Sequence, residues 1–330
     1  MANYSEYSQI RSFRDQEISH VWSRLTDLNQ FHDDIMGQTV SIAMKILQQN
    51  LGPPPSSFCF FIMGSGGRSE QGIWTDQDHG IVYDETENPR AQEYFLELGK
   101  EISEGLQVTG YKKCDGNVMA SNPLWCKSIE GWHAQLTTWI LDSSWESIRH
   151  LLTFIDGRSL IGTESLLTKL KKAVHHSIHH ENLLPRILQN TMHIRKGIGI
   201  LGQFLVETHG SFSGHLNVKE TAIFPYVNAG RLLAIREKVL ETSTLDRLQH
   251  LPDSVLPFAK RKMYSEQFQQ LQNLRLTFAS SLDYESGHYL AIEQLSKQQR
   301  KMVKEILKDG VHLFEYARKL VEKEGLHGHE

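Results

Sequence analysis

Residues 58–83 read FCFFIMGSGGRSEQGIWTDQDHGIVY. An apolar run from Phe58 to Met63 gives way to a Gly-Ser-Gly-Gly turn, an Arg-bearing segment follows, and Asp76 and Asp78 open a second apolar run. The two runs read as strands, and the glycines as the turn that leaves the first. Side chains alternate along a strand, so an Asp-x-Asp sets both carboxylates on one face, about 6.5–7 Å apart at the backbone. Such a pair can hold one or two divalent cations. Gly64, Ser65, Gly66 and Gly67 add backbone N–H groups and a hydroxyl near the start of a predicted helix, where a triphosphate can be cradled. The plainer reading, a tight turn followed by a solvated acidic loop, accounts for each half alone but not for their succession.

Two other phosphate motifs fail on spacing. No G-x-x-x-x-G-K-[ST] is present, and Arg68 and Ser69 after Gly67 break the dinucleotide fingerprint. A literal G-x-G-x-x-G occurs at Gly197, Gly199 and Gly202, but the preceding LLPRILQNTMHI has helical periodicity, so the required strand is missing and close packing of small residues is predicted instead. His175, His176, His179 and His180, in HHSIHH, have the i, i+4 spacing of metal ligands on a helix. With 17 histidines in the chain and no glutamate in an H-E-x-x-H, a solvated polar face is the better reading. The tryptophans are assigned to core or interface, with no chemistry.

At 330 residues, with 39% hydrophobic and 22% charged residues, the chain has the make-up of a soluble globular protein with room for two domains. A formal charge of −4 supplies no global basic field, so a nucleic-acid partner is not favoured. The polar start MANYSEYSQIRSFRDQE lacks the apolar stretch of a signal peptide, and no run nears the roughly 18 apolar residues of a membrane span; a cytoplasmic location without membrane contact is expected. Cys59, Cys114 and Cys126 are odd in number and contain no C-x-x-C, which predicts reduced, mostly buried thiols.

Helical spacing over 15–49 ends at Gly52 and Pro53–Pro55, defining an N-terminal helical segment, residues 1–52. Residues 53–163 alternate short apolar runs with Gly and Asp turns, with a helix predicted from Pro89 to Leu106 and a further strand from Leu151 to Ile155. Residues 164–330 are predicted to be helical over 164–180, 183–208, 218–241, 257–281 and 297–322, forming an antiparallel bundle. Its apolar stripes are Met263, Tyr264, Phe268, Leu271, Leu274 and Phe278, then Met302, Val303, Ile306, Leu313, Phe314, Ala317 and Leu320. The fold class expected is α+β: a small mixed sheet with helices, an N-terminal helical segment before it and a helical bundle after it.

The stretch LGPPPSSFCFFIMGSGGRSEQGIWTDQDHGIVY, with GNVMASNPLW at 116–125 and FIDGRSLIG at 154–162, resembles a bacterial nucleotidyltransferase family of the DNA polymerase β-like superfamily. That family is related to the nucleotidyltransferase domain of PII-protein uridylyltransferase. Many members carry cyclic-nucleotide-binding and CBS domains upstream, which this sequence lacks. The resemblance continues through LNVKETAIFPYVNAGRLLAI, STLDRLQ and QLSKQQRKMVKEIL, which look like the family's substrate-binding helical domain. It implies a Mg²⁺- or Mn²⁺-dependent transfer of a nucleoside monophosphate from an NTP to an acceptor, either a protein, as in PII uridylylation, or a small molecule. It also implies that Gly64 and Ser65 contact the β- and γ-phosphates and that Asp76 and Asp78 bind metal. Arg68 and Glu70 match the family's GR-x-E; Arg68 either neutralises phosphate or pairs with Glu70 or Asp76. Superfamily members commonly add a third carboxylate, for which Asp156 is chosen because it ends LLTFI and precedes Gly157 and Arg158; Asp115, Asp142 and Glu146 compete. A regulatory-domain partner acting in trans would replace the missing upstream domains. The rival reading keeps the fold without turnover, as a nucleotide- or protein-binding regulatory module.

Overall fold

A computed structural model of the chain describes residues 2–278 and 283–327. The chain divides into two compact units, Met1–Leu141 with His150–Val174, and Asp142–Arg149 with His175–Glu330.

The first unit opens with helices α1 (Ala2–Val21) and α2 (Leu25–Leu51). The apolar stripe of α2 buries Leu25, Leu28, Ile35, Met36 and Ile46, and the helix ends at Gly52, just before the prolines. There follow β1 (Phe58–Ile62), a single helical turn α3 (Gly64–Gly67), β2 (Asp76–Gln77), β3 (His79–Tyr83) and α4 (Ala91–Thr109). Next come β4 (Lys112–Lys113), β5 (Cys126–Ser128), α5 (Ile129–Asp142), α6 (Trp145–Ile155), which belongs to this unit from His150 on, and β6 (Arg158–Gly162). The four-stranded sheet runs β5-β3-β1-β6; β1 is antiparallel to β3 and β6, and β3 is parallel to β5. A separate parallel pair joins β2 to β4, with Asp76 opposite Lys112 and Gln77 opposite Lys113.

FCFFI is apolar on both faces because β1 is central and covered on both sides. On one side Phe58 and Tyr83 meet Phe95 of α4 at 5.4 and 4.4 Å between ring centroids. On the other, Phe61 meets Trp132 of α5 and Phe154 of α6 at 5.8 and 6.0 Å, and Trp132 Nε1 donates to the Ile81 carbonyl at 2.8 Å. Each such side chain contributes roughly 1.5–3 kcal/mol by leaving water. This core fixes the ends of β1 and β3, where the candidate site lies.

The strand expected over Leu151–Ile155 is instead the last part of helix α6. Ile148, Leu151, Leu152 and Ile155 are all buried at i+3 and i+4 spacing, a helical face that a five-residue apolar run does not distinguish from a strand. The strand starts later, at Arg158.

Helix α7 (Glu164–His180) begins in the first unit and ends in the second. The second unit continues with α8 (Leu184–Thr191), β7 (His215–Asn217), a π-helical turn over Lys219–Ile223 and α9 (Phe224–Arg236). It ends with α10 (Thr244–His250), α11 (Phe258–Phe278), β8 (Tyr289–Ala291) and α12 (Lys297–His327). Tyr264, Phe268, Leu271 and Leu274 of α11 and Val303, Ile306, Leu313, Phe314 and Ala317 of α12 are buried, as their spacing predicts, whereas Met263, Phe278, Met302 and Leu320 at the edges of the stripes are half-buried. The helix expected over 183–208 stops at Thr191, and it does not resume over the three glycines at 197–202, which favour a turn: Gly202 donates to Gly199 O, and Leu205 to Gly197 O. β7 and β8 pair antiparallel, an element too short to read from periodicity. Residues 279–281 of the expected fourth helix lie outside the described residues. No helix among the described residues is long and apolar enough to cross a membrane.

Candidate functional site

The glycine turn and the aspartate pair meet directly. A β-carbon added to Gly64 would fall 2.2 Å from Asp78 Oδ2, so the Asp78 carboxylate lies against the bare α-carbon of Gly64. Gly64 also holds φ at +55°, a conformation glycine adopts without steric cost. The two strand ends are tied by Met63 N–H donating to Asp78 O at 2.8 Å. One ligand atom from each of Asp76, Asp78 and Cys114 lies within 4.8 Å of the other two, and all three residues are half-buried. Among the described residues this is the one group of three or more such side chains close enough to share a metal ion.

Buried polar side chains on either side of Asp78 fix its surroundings. The Gln77 amide nitrogen donates to Ser103 O and Tyr111 O at 3.1 and 3.2 Å, and its oxygen accepts from His79 Nε2 at 3.1 Å. His79 Nδ1 accepts from Ala120 N–H at 3.1 Å, which sets the tautomer with the proton on Nε2. Burial lowers the His79 pKa to about 3, keeping the ring neutral. The backbone of His79 donates to Val118 O at 3.0 Å. The 111–120 loop carrying Cys114 is therefore bonded to the strand at both ends.

The two N-terminal helices grip the segment that leads into Asp76. Asn29 Oδ1 accepts from Gln71 N–H at 2.9 Å, and His32 Nε2 donates to Gly72 O at 2.9 Å. Arg14, fully buried, donates to Ile73 O at 3.0 Å while its guanidinium lies 5.0 Å from the centroid of the Trp74 ring. Three consecutive residues are thus held by side chains of α1 and α2. His32 Nδ1 accepts from the Tyr111 hydroxyl at 3.0 Å, and burial with the nearby Arg14 charge lowers its pKa to about 3.

Arg68 Nε donates to Glu70 at 2.8 Å and its Nη1 to Asp156 Oδ2 at 2.6 Å, all three side chains being largely buried. Burial alone opposes the Arg68 charge, but the two carboxylates outweigh it and push the pKa up. Arg158 makes a two-point contact with Asp33, at 2.8 and 2.9 Å, and donates to Gly66 O at 3.1 Å. A β-carbon on Gly67 would fall 2.0 Å from Asp156 O. These contacts hold the underside of the turn.

The structure accordingly sorts the residues expected from sequence. Asp76, Asp78, Gly64 and Ser65 are half-exposed, and Asp78 joins Asp76 to Gly64. Gly66 and Gly67 are buried and packed. Asp156 follows a helix and pairs with Arg68, and it is not in the metal-competent group; neither are Asp115, Asp142 and Glu146. Arg68 pairs with Glu70, one of the partners expected for its structural reading, and with Asp156 in place of Asp76. The HHSIHH histidines form no such group among the described residues: His179 bonds Ile235 O and His180 pairs with Glu181. Cys114 did not stand out in the sequence, because its approach depends on the β2–β4 pairing. The α1–α2 clamp did leave a trace, in Asn29 and His32 interrupting the apolar face of α2.

Two carboxylates and a thiol, half-exposed beside a glycine turn, form a donor set suited to a divalent cation. A mixed sheet presenting a glycine turn and an Asp-x-Asp at the ends of its two central strands defines a nucleotidyltransferase scaffold. The chain belongs to the family described as "Putative nucleotidyltransferase DUF294", whose model matches residues 15–146; the companion "Putative nucleotidyltransferase substrate binding domain" matches residues 181–319. No curated protein matches the chain. The first match includes all of α2, which carries Asn29 and His32 of the clamp.

Proposed function

We propose that the protein is a Mg²⁺- or Mn²⁺-dependent nucleotidyltransferase that moves a nucleoside monophosphate from an NTP onto an acceptor and releases pyrophosphate. The observation that carries this reading is the Asp78 carboxylate seated on Gly64 with Asp76 beside it, which joins the metal and phosphate halves of the site. Asp76 and Asp78 would hold the cation. When bound, it would activate an acceptor hydroxyl and offset charge on the leaving pyrophosphate. Gly64 and Ser65 would meet the β- and γ-phosphates, and Arg68 with Asp156 would hold the turn in shape rather than touch the nucleotide. The second unit would select the acceptor, a protein or a small molecule, in the cytoplasm, and a regulatory domain would act in trans. A direct test is calorimetric titration of NTP with and without Mn²⁺. Binding should need the metal and should be lost in Asp76→Asn and Asp78→Asn; metal-independent binding, or binding kept in both variants, would overturn the site assignment.

One observation favours a second reading. Asp156 is held by Arg68 and the third donor beside the aspartates is a thiol, so among the described residues no third carboxylate of the kind expected for turnover joins them. A nucleotide-binding regulatory module on the same scaffold needs only the first two.

A further inference from the structure

We infer that Cys114 is the third protein ligand of the cation held by Asp76 and Asp78, and that the site therefore favours a thiophilic divalent metal of the Zn²⁺ and Co²⁺ kind over Mg²⁺. The inference rests on the reading of the two aspartates as metal ligands.

Four observations carry it. The Cys114 sulfur and one oxygen from each aspartate lie within 4.8 Å of one another, a spread that small side-chain rotations can close around one ion. The placement is built into the fold: the β2–β4 register sets Asp76 opposite Lys112 and Gln77 opposite Lys113, and one further step brings Cys114 beside Asp78. Gln77 and His79, both essentially inaccessible, lock that register through Tyr111 O on one side of Cys114 and Ala120 N–H on the other. Finally, Cys114 is half-exposed, whereas Cys59 and Cys126 are buried, so it is the thiol an incoming ion can reach.

The chemistry follows from donor softness. Carboxylate oxygens accept Mg²⁺ and Mn²⁺ readily, whereas a thiolate adds little for Mg²⁺ and much for Zn²⁺ or Co²⁺. Binding breaks the Cys114 S–H bond, forms a sulfur–metal bond and delivers the proton to solvent, with no change of oxidation state.

The test uses the full-length protein with Co²⁺ alone as the probe. Native protein should show the near-ultraviolet sulfur-to-cobalt charge-transfer band, absent in Cys114→Ser. Loss of supporting groups around a metal already costs about 10–100-fold in affinity, so Cys114→Ser should weaken Zn²⁺ binding at least about tenfold and leave Mg²⁺ binding unchanged. If Cys114→Ser alters the circular dichroism, alkylation of Cys114 in the native protein replaces it and must abolish the band. Co²⁺ bound without the band, or a band that survives either treatment, overturns the thiolate ligand while leaving the aspartate site standing. If calorimetry shows no divalent ion binding at all, the aspartate reading itself falls, and this inference with it.

Discussion

Acid should loosen the first unit through His32, and the size of the effect can be worked out. An unfolded histidine titrates near 6.5, whereas burial beside Arg14 lowers the His32 pKa to about 3. Between those values the unfolded chain binds a proton that the folded chain refuses, so stability falls as pH falls through that window. Going from about pH 7.5 to about pH 4.5 spans roughly two units below the unfolded pKa, or about 2.7 kcal/mol at 1.36 kcal/mol per unit. That is a large share of the roughly 5–15 kcal/mol by which a domain is stable. The structural cost is specific: a protonated Nδ1 would lose its role as acceptor from the Tyr111 hydroxyl and set a second positive charge near Arg14. Urea unfolding followed by the fluorescence of the buried Trp125 and Trp132 reports on this unit. The comparison is with His32→Phe, which loses the bonds to Gly72 and Tyr111 and should cost about 1–3 kcal/mol near neutral pH. Its further loss on acidification should be smaller than that of the native protein by about 2.7 kcal/mol, since His79 is present in both and cancels. Parallel stability–pH curves for the two proteins would show that His32 does not carry the acid sensitivity.

Gly64→Ala should lower stability by about 1–2 kcal/mol, because alanine pays for a left-handed backbone, and should weaken metal–nucleotide binding, because its methyl group displaces the Asp78 carboxylate. Thermal melting and calorimetry with Mn²⁺ and NTP check both effects. Arg68→Met removes the buried ion pairs to Glu70 and Asp156 and should cost about 3–5 kcal/mol in urea unfolding, part of it recovered by adding Asp156→Asn. Gly37→Ala should do the opposite: Gly37 lies inside α2, a β-carbon there meets nothing within 4 Å, and the change should stabilise by about 0.5–1 kcal/mol, seen as a raised melting temperature.

Much of the site was legible in the chain because its parts are contiguous. FCFFI, the glycines and Asp-x-Asp lie within 26 residues, and each has a periodicity or spacing with a local physical cause. The stop of α2 at Gly52 and the stripes of α11 and α12 were legible for the same reason. Long-range pairing was not. Cys114 reaches Asp78 through a two-residue parallel ladder, which leaves no periodic mark. The fate of Asp156 depended on whether Leu151–Ile155 was strand or helix, a choice that five apolar residues do not settle, and on Arg68 reaching it across 88 positions of sequence. Arg14 and His32 became structural for a reason visible only in three dimensions: the loop they hold has backbone groups that no strand satisfies.

Transfer of a labelled nucleoside monophosphate is the defining property of the proposed activity. Protein incubated with a divalent metal and NTP labelled at the α-phosphate, in the presence of cell-extract proteins and metabolites, should place label on an acceptor and release unlabelled pyrophosphate. Asp76→Asn and Asp78→Asn should abolish that transfer while keeping the native circular dichroism. Metal-dependent NTP binding with no label passed to any acceptor pool would contradict the transferase reading and leave a nucleotide-binding module on the same scaffold.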